Sequence, residues 1–231
     1  MSNIVILLIG LHGSGKSTFA KAVTGADVEI SRTGGVIERK QFTIIDTPGL
    51  ADKNTHEENL EILEQIAHQL GKIGQEHVNG VIYFHSIKNI RLGAVDRANI
   101  RILKAMCGEP FFPHVAFVTS HWDRIDHTNF GEQYETINHD LELERRKLLP
   151  KGPRIFRFLN DGKSHELVLD HFVNQANIAT TVPPQLLFAE ELKRYRYERR
   201  PSRAVRKTEA SKQMAVESKK VGGRSSSCSI L

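Results

Sequence analysis

A glycine-rich run lies between an apolar stretch and a helical pattern near the start of the chain, and few folds accommodate that order. The run occupies residues 10–17 and consists of Gly10, Leu11, His12, Gly13, Ser14, Gly15, Lys16 and Ser17. It matches the P-loop pattern, in which glycines let backbone amides converge on phosphate oxygens at a helix N-terminus. The alternative is a chance match in a glycine-rich turn, which the flanking strand and helix disfavour.

Five apolar runs of strand length alternate with helical patterns along the chain. We expect strands near residues 4–9, 42–45, 80–84, 114–119 and 154–158, and helices near residues 16–23, 57–70, 94–107, 134–149 and 165–176. Such alternation predicts parallel βαβ units with ligands bound at the carboxyl ends of the strands. The predicted fold class is α/β: a three-layer P-loop NTPase (G domain) with a mostly parallel sheet and helices on both faces.

Charge is divided unevenly along the 231 residues. Residues 193–231 hold 12 Lys or Arg and 3 acids, whereas the rest of the chain holds 20 basic and 24 acidic side chains. The last residues, from 201 onward, contain few large apolar side chains to offset the entropy of ordering. We therefore expect a G domain over residues 1–182, a basic helix over 183–200 and a disordered basic tail over 201–231.

The phosphate chemistry is assigned from the residue types of the loop. Lys16 is expected to neutralise the β and γ phosphates, and the hydroxyl of Ser17 to ligate Mg²⁺. Thr18 follows in the same helix and is included in the predicted nucleotide site. Thr33, in the flexible stretch 31–35, is the candidate to complete the magnesium shell and joins Lys16 as a catalytic candidate. A solvated loop threonine is the alternative for Thr33.

The second box of the predicted site is Asp46-Thr47-Pro48-Gly49, which follows an apolar strand. Asp46 is placed to hold Mg²⁺ through water, and the amide of Gly49 to meet a γ phosphate without obstruction from a side chain. Loss of that contact on hydrolysis would release the next loop. The four residues are also a good turn sequence, which is the alternative explanation.

Base recognition is expected from the loops after the last two predicted strands. Asp123 can accept hydrogen bonds from the ring NH and the exocyclic amine of guanine, a pair of donors that adenine lacks, so it favours GTP. The usual GTPase pattern is Asn or Thr, then Lys, any residue and Asp; Ser120 and His121 replace its first two members. Asn160 is the candidate for the other edge of the base. A helix N-cap for Asp123 and a turn for Asn160 remain alternatives.

Taken together, these boxes over residues 3 to about 178 resemble the septin-like and GIMAP-like branch of P-loop GTPases, particularly the G-domain proteins of fungi. The segments at 80–87, 91–93 and 106–108 and the Trp122-Asp123 pair are similar to that branch. The resemblance implies GTP or GDP binding, slow hydrolysis, and dimers or oligomers that meet across the nucleotide face. Leu50 stands where Ras-like enzymes have a water-positioning glutamine, so intrinsic hydrolysis is expected to be poor. His85 and His56 are further candidates, with packing or surface exposure as alternatives.

The chain ends in Cys228-Ser229-Ile230-Leu231, a CaaX pattern that favours geranylgeranylation of Cys228. A lipid chain and nearby basic residues together give stable attachment to an anionic leaflet. We therefore expect a cytoplasmic protein, peripheral on the cytosolic face of a membrane, and no nucleic-acid partner because aromatic residues are not interleaved with the basic ones beyond Tyr197. Neither a signal peptide nor a membrane span is predicted.

Three functions compete at this point. The first is a membrane-tethered regulatory GTPase with a low intrinsic rate. The second is a nucleotide-dependent oligomerising scaffold on membranes with little turnover. The third, a P-loop small-molecule kinase, lacks a recognisable arginine-rich lid in the sequence.

Overall fold

A computed structural model describes residues 3–23, 28–31, 37–49, 56–73, 77–89, 91–124, 130–148, 153–178, 185–195 and 199–222. Strands and helices alternate through most of this span. Their order is β1 (Asn3–Gly10), α1 (Lys16–Val23), β2 (Val28–Ser31), β3 (Ile37–Asp46), α2 (His56–Lys72), β4 (Val78–Ser86), α3 (Ala94–Cys107), β5 (Val115–Ser120), α4 (Phe130–Leu148), β6 (Arg154–Arg157), α5 (Gly162–Ile178), α6 (Leu187–Arg194), α7 (Pro201–Lys207) and α8 (Glu209–Gly222).

Six strands form one sheet in the order β2-β3-β1-β4-β5-β6. All neighbouring pairs are parallel except β2 and β3, which are antiparallel. The three-layer α/β architecture with a mostly parallel sheet is therefore confirmed. Strand β2 was not predicted: it overlaps the stretch 31–35 that was expected to be a flexible loop, and Ser31 is its last residue. Its four residues contain only two apolar side chains, too few to form a recognisable run.

The central strand β1 explains why its sequence is a continuous apolar run. Helices cover both faces of the sheet, so alternate side chains enter two separate cores. One core lies between the sheet and α1 with α5, and the other between the sheet and α2, α3 and α4. The residues of β1 divide between them strictly by position: Val5, Leu7 and Ile9 enter the second core, and Ile4, Ile6 and Leu8 enter the first.

The C-terminal part of the chain departs from prediction. The basic helix expected over 183–200 is shorter, since α6 ends at Arg194. The tail expected to be disordered from 201 onward contains α7 and α8, and both helices are packed on the domain as far as Gly222. Residues 223–231, with Cys228, lie outside the described part of the chain.

The prediction of a disordered tail was wrong because the composition of the tail does not show which surface of the domain it can pack on. Val205, Ala210 and Met214 are buried in the core that α2 and α3 build, so a few apolar side chains suffice where the partner surface is already present. An ion pair adds to this contact, since both guanidinium nitrogens Nε and Nη2 of Arg101 donate to the carboxylate of Glu217 at 2.8 and 2.6 Å.

None of the described helices combines the length and the apolar character needed to cross a bilayer.

Candidate functional site

The predicted phosphate loop leaves the carboxyl end of β1 and enters α1. Its backbone takes conformations that suit glycine, with φ of 149° at Gly10, 69° at Gly13 and 94° at Gly15. A Cβ atom at Gly10 would lie 2.4 Å from the carbonyl oxygen of Phe84, so the loop can approach β4 only with glycine there. Leu11 and His12 lie at the turn of this loop, while Lys16, Ser17 and Thr18 open the first turn of α1.

Lys16 reaches back across the loop from the start of α1. Its ammonium group donates to the carbonyl oxygens of Gly10 at 3.0 Å and Leu11 at 2.7 Å, and the side chain is buried. These bonds hold a cation at the centre of the loop beside the N-terminus of a helix, where backbone NH groups also favour anions. This arrangement of positive charge and NH groups suits the binding of a phosphate chain.

Ser17 and Asp46 meet at the carboxyl edge of the sheet, as their positions predicted. The hydroxyl of Ser17 donates to the Asp46 carboxylate at 2.5 Å. Thr47 fixes the turn that follows, because its buried hydroxyl donates to the carbonyl oxygen of Leu8 at 2.6 Å. Gly49 is buried at the end of this described segment.

This pair of oxygen ligands fits Mg²⁺. Magnesium takes hydroxyl, carboxylate, water and phosphate oxygens and is usually held by only one or two protein groups. The described residues contain no cluster of three or more His, Cys, Asp or Glu that could hold a metal ion. Thr33, the third predicted ligand, lies outside the described residues.

Ser120, at the carboxyl end of β5, joins the predicted base loop to the phosphate loop. Its buried hydroxyl donates to the carbonyl oxygen of Ser14 at 2.6 Å, and its side chain packs against Gly15, where an added Cβ would lie 3.1 Å from the Ser120 Cβ. Serine therefore links the two loops through its side chain, although it replaces the usual Asn or Thr at this position. Strand order creates it, since β1 and β5 both flank β4.

His121 follows with a left-handed backbone conformation, φ 64°. Its Nδ1 lies 3.0 Å from the hydroxyl oxygen of Ser120 and 3.1 Å from that of Ser86. The direction of these two contacts depends on the tautomer of the ring, because a protonated Nδ1 donates whereas an unprotonated Nδ1 accepts from the Ser86 hydroxyl. Sequence reasoning missed Ser86; its only sequence signal is a hydroxyl at the end of the strand next to β5.

Trp122 and Asp123 are neighbours in the short 3₁₀ turn Trp122–Arg124, but one is buried and the other exposed. The indole is buried, donates from Nε1 to the carbonyl oxygen of Thr119 at 3.1 Å, and packs on Tyr134 with 5.4 Å between ring centroids. Asp123, in contrast, is exposed. Burial of Trp122 therefore anchors the loop and presents the neighbouring carboxylate at its surface.

Asn160 lies in the loop before α5 and is exposed, with φ 57°. Its neighbour Asp161 accepts a hydrogen bond from the backbone NH of Ser164 at 2.6 Å, which caps the helix. Hydrogen bonds from Ser164 lower the pKa of the Asp161 carboxyl. Within the described residues no hydrogen bond or ion pair joins Asn160 to the phosphate or base loop, and its left-handed backbone matches the turn alternative.

The remaining candidates divide between the core and undescribed parts of the chain. His85 is buried in β4, with Nδ1 3.0 Å from Asp96 Oδ1 and Nε2 3.1 Å from the Asn89 carbonyl oxygen. This is the packing role named as the alternative. Leu50, the His56 side chain and the lipidation candidate Cys228 lie outside what the structure describes.

Part of the chain is similar to a known protein family. The model of the family described as 50S ribosome-binding GTPase matches residues 5–105, the span from β1 into α3 that contains the phosphate loop and Asp46. The chain has the fold of a P-loop GTPase. No curated protein sequence matches it significantly.

Solved structures agree on the fold at low identity. Toc33 from Arabidopsis thaliana in complex with GDP and Mg²⁺ is 16% identical, with a TM-score of 0.55 over 80% of this chain and 88% of that one. Translation elongation factor SelB from Methanococcus maripaludis, with a GTP analogue, is 15% identical, with a TM-score of 0.50 over 79% of this chain and 35% of that one. Cdc11 from Saccharomyces cerevisiae is 18% identical over 86% of this chain and all of that one, but its TM-score of 0.43 adds no argument for a septin.

Proposed function

We propose that this protein is a guanine-nucleotide switch that binds GTP and GDP and hydrolyses GTP slowly. The observation that carries the proposal is the arrangement of Lys16 and the Ser17–Asp46 pair at one edge of the sheet. A buried ammonium group held by loop carbonyls beside two oxygen ligands suits the terminal phosphates of a nucleotide with its metal. The match of residues 5–105 to a GTPase family supports the same function.

Mg²⁺ is the cofactor this site would take, held by Ser17 directly and by Asp46 through water. When bound, the ion neutralises charge on the β and γ phosphates. Lys16 would contribute a second positive charge to the same oxygens, and the Gly49 amide would meet the γ phosphate. Loss of that contact after hydrolysis would release the segment that follows Gly49 and so distinguish the two nucleotide states.

Guanine selectivity is proposed to come from Asp123. The exposed carboxylate follows an anchored tryptophan, and the loop that bears it is linked to the phosphate loop through Ser120. A base bound with its phosphates on residues 10–17 would therefore meet this loop. The ring of His121 would also line the base site, since its Cε1 lies 3.7 Å from the position of a Cβ on Gly15.

Nucleotide binding tests the proposal directly. Titration of the magnesium-loaded protein should give tighter binding of GTP than of ATP, and Lys16→Ala should weaken GTP binding about a hundredfold because charge-assisted bonds to phosphate are lost. Tighter binding of ATP would overturn the proposal.

Asp123 has a sharper test of its own. Asp123→Asn replaces an acceptor with a donor, so the variant should lose GTP affinity and gain affinity for xanthosine triphosphate, which has a carbonyl where guanine has an amine. Glu135→Gln, at an exposed carboxylate on α4, is the matched control. Unchanged base preference in Asp123→Asn would exclude this residue from base recognition.

Membrane attachment through a prenyl group on Cys228 is the second part of the proposal. It is supported by the CaaX pattern and by the excess of basic residues in the last part of the chain. Mass spectrometry of protein from a eukaryotic host should find the added lipid, and Cys228→Ser should move the protein from the membrane to the soluble fraction. An unmodified cysteine in such protein would refute attachment by this route.

A nucleotide-dependent dimer or scaffold is the second candidate function. For the chloroplast translocon components of similar fold, dimerization is important for GTPase activity. If this chain also pairs across its nucleotide face, sedimentation should show larger species with a non-hydrolysable GTP analogue than with GDP. Monomers in both states would count against the scaffold.

A further inference from the structure

Folding of the C-terminal helices collects basic side chains on one part of the surface. Residues 193–207 contain eight Lys or Arg and a single acid. They span the end of α6, the connection to α7 and all of α7. This charge therefore lies largely on folded helices that pack on the domain, and not in a disordered tail.

Six of these side chains are exposed and define the basic surface: Lys193, Arg194, Arg199, Arg200, Arg203 and Lys207. Helix α7 turns Ala204 and Val205 into the core, which leaves its basic side chains outward. The ammonium group of Lys207 lies 5.5 Å from the ring centroid of Tyr195, and this contact brings the ends of α6 and α7 together.

Three acidic side chains nearby are engaged by other groups, whereas Glu190, exposed on α6, places one negative charge beside the surface. Glu57 pairs with Arg206, Glu209 with Lys212, and the carboxylate of the buried Glu191 accepts from the backbone NH of Glu209 at 3.1 Å. Within the described residues, no ion pair joins a member of the basic surface to an acidic side chain. The surface therefore keeps its positive potential, which attracts polyanions over a Debye length of about 10 Å at 0.1 M salt.

We propose that the basic surface binds the anionic face of a lipid bilayer. Lysine and arginine near such a leaflet each contribute favourably to binding without a shaped pocket, which suits side chains spread over the end of α6, the two residues before α7, and α7 itself. Single-stranded nucleic acid is less suited, because its bases stack on open aromatic rings and the Lys207 ammonium group lies over one face of the Tyr195 ring.

Such binding would give the domain a fixed orientation on the membrane. Helix α7 packs against α2, and Arg206 donates two hydrogen bonds to Glu57 in the first turn of that helix. The basic surface thus lies beside the helix that follows the Asp46–Gly49 segment. The inference deepens the proposed membrane association, but it requires neither the lipid on Cys228 nor bound nucleotide.

The experiment uses the full chain with Cys228→Ser, so that no lipid contributes. It should sediment with vesicles of mixed phosphatidylserine and phosphatidylcholine, bind pure phosphatidylcholine much less, and lose binding as salt is raised. Replacing Arg199, Arg200 and Arg203 together by Gln should weaken binding roughly a hundredfold, about fivefold for each charge. Replacing the same three by Lys should retain most of it.

A matched control separates location from net charge. Lys21, Lys72 and Lys104 are exposed on other helices, and their joint replacement by Gln changes the net charge equally, so binding should fall far less. Equal losses in the two triple-Gln variants, equal binding to both kinds of vesicle, or tighter binding to DNA or RNA than to vesicles at the same salt would overturn the proposal. GTP affinity should be unchanged in every variant, which distinguishes failure here from failure of the nucleotide site.

Discussion

Ser120 connects two loops with a single hydroxyl group. It donates to the Ser14 carbonyl oxygen at 2.6 Å and lies 3.0 Å from His121 Nδ1. Ser120→Ala should weaken GTP binding about tenfold, because the Ser14 carbonyl oxygen loses its donor and His121 loses a contact, at a cost of roughly 1–2 kcal/mol. Isothermal titration calorimetry measures this loss. Ser218→Ala removes a similar hydroxyl-to-carbonyl bond within α8 and should leave GTP affinity unchanged; an equal loss there would refute the linking role.

Two glycines of the phosphate loop differ in what a side chain would meet. At Gly10 a Cβ would lie 2.4 Å from a backbone oxygen, whereas at Gly13 nothing lies within 4 Å and only the positive φ opposes substitution. Gly13→Ala should cost about 1–2 kcal/mol of unfolding free energy, the usual penalty of a left-handed conformation. Gly10→Ala should cost clearly more, since backbone must move. Urea denaturation of both variants checks the order, and equal losses would contradict it.

The individual site residues were predictable where spacing along the chain determines them. The phosphate loop and the Ser17–Asp46 pair follow from motifs at the ends of strands, and strand ends of a parallel sheet meet at one edge. The bonds of His121 to Ser86 and Ser120 were not predictable in this way, because they depend on which strands are neighbours. The positive φ of Asn160, just before the Asp161 cap of α5, was not predictable from spacing either.

At the level of elements, α8 is attached to α3 by a partly buried ion pair. Only 4% of the Glu217 side chain is exposed, against 41% for Arg101. Hydrogen bonds from Arg101 and Lys220 lower the pKa of the Glu217 carboxyl although burial opposes this. The carboxylate thus depends on these cations to remain charged in the folded protein.

Arg101→Met should therefore lower the free energy of unfolding by about 2–3 kcal/mol, toward the smaller end of values for buried pairs because Arg101 is partly solvated. Chemical denaturation followed by circular dichroism measures the change. Arg146→Met removes the exposed i,i+4 pair with Glu142 and should cost under about 0.5 kcal/mol. Equal losses of unfolding free energy in the two variants would mean that the ion pair between Arg101 and Glu217 does not stabilise the packing of α8.

Sequence patterns predicted some of the helices well and missed other elements. Helices α1 and α3 were predicted at their exact bounds, because each begins after a glycine turn and α3 is capped by Gly108 with φ 72°. Strand β2 and helices α7 and α8 were missed. Each has few apolar side chains, and each packs on a neighbour that supplies the surface: β3 for β2, and α2 with α3 for the C-terminal helices.

Stability of the whole molecule should depend on pH through a buried histidine. His171 packs on Phe156 and Phe172, and its Nε2 has no hydrogen-bond partner in the described structure. Burial, with smaller contributions from Arg154 and His114, lowers its pKa from 6.5 to about 4. Burial also lowers the pKa of His114. The folded protein therefore resists protonation that the unfolded chain accepts.

The free energy of unfolding should fall as pH decreases from about 6.5 to about 4, by up to roughly 3 kcal/mol for His171, and change little from this source at higher pH. His171→Leu should flatten that dependence in urea titrations at several pH values. His139→Leu, at an exposed histidine of α4, is the matched control. A dependence unchanged by His171→Leu would assign the pH effect to other groups.

The packing of α7 and α8 on α2 and α3 has a consequence for biosynthesis. These two helices are translated after every strand of the sheet, yet Val205, Ala210 and Met214 belong to the core that α2 and α3 begin. While the ribosome is still adding residues 201–222, the nascent chain must hold a finished sheet with one apolar helix face uncovered. That interval is when a chaperone would be needed, and it closes only when the last helices dock.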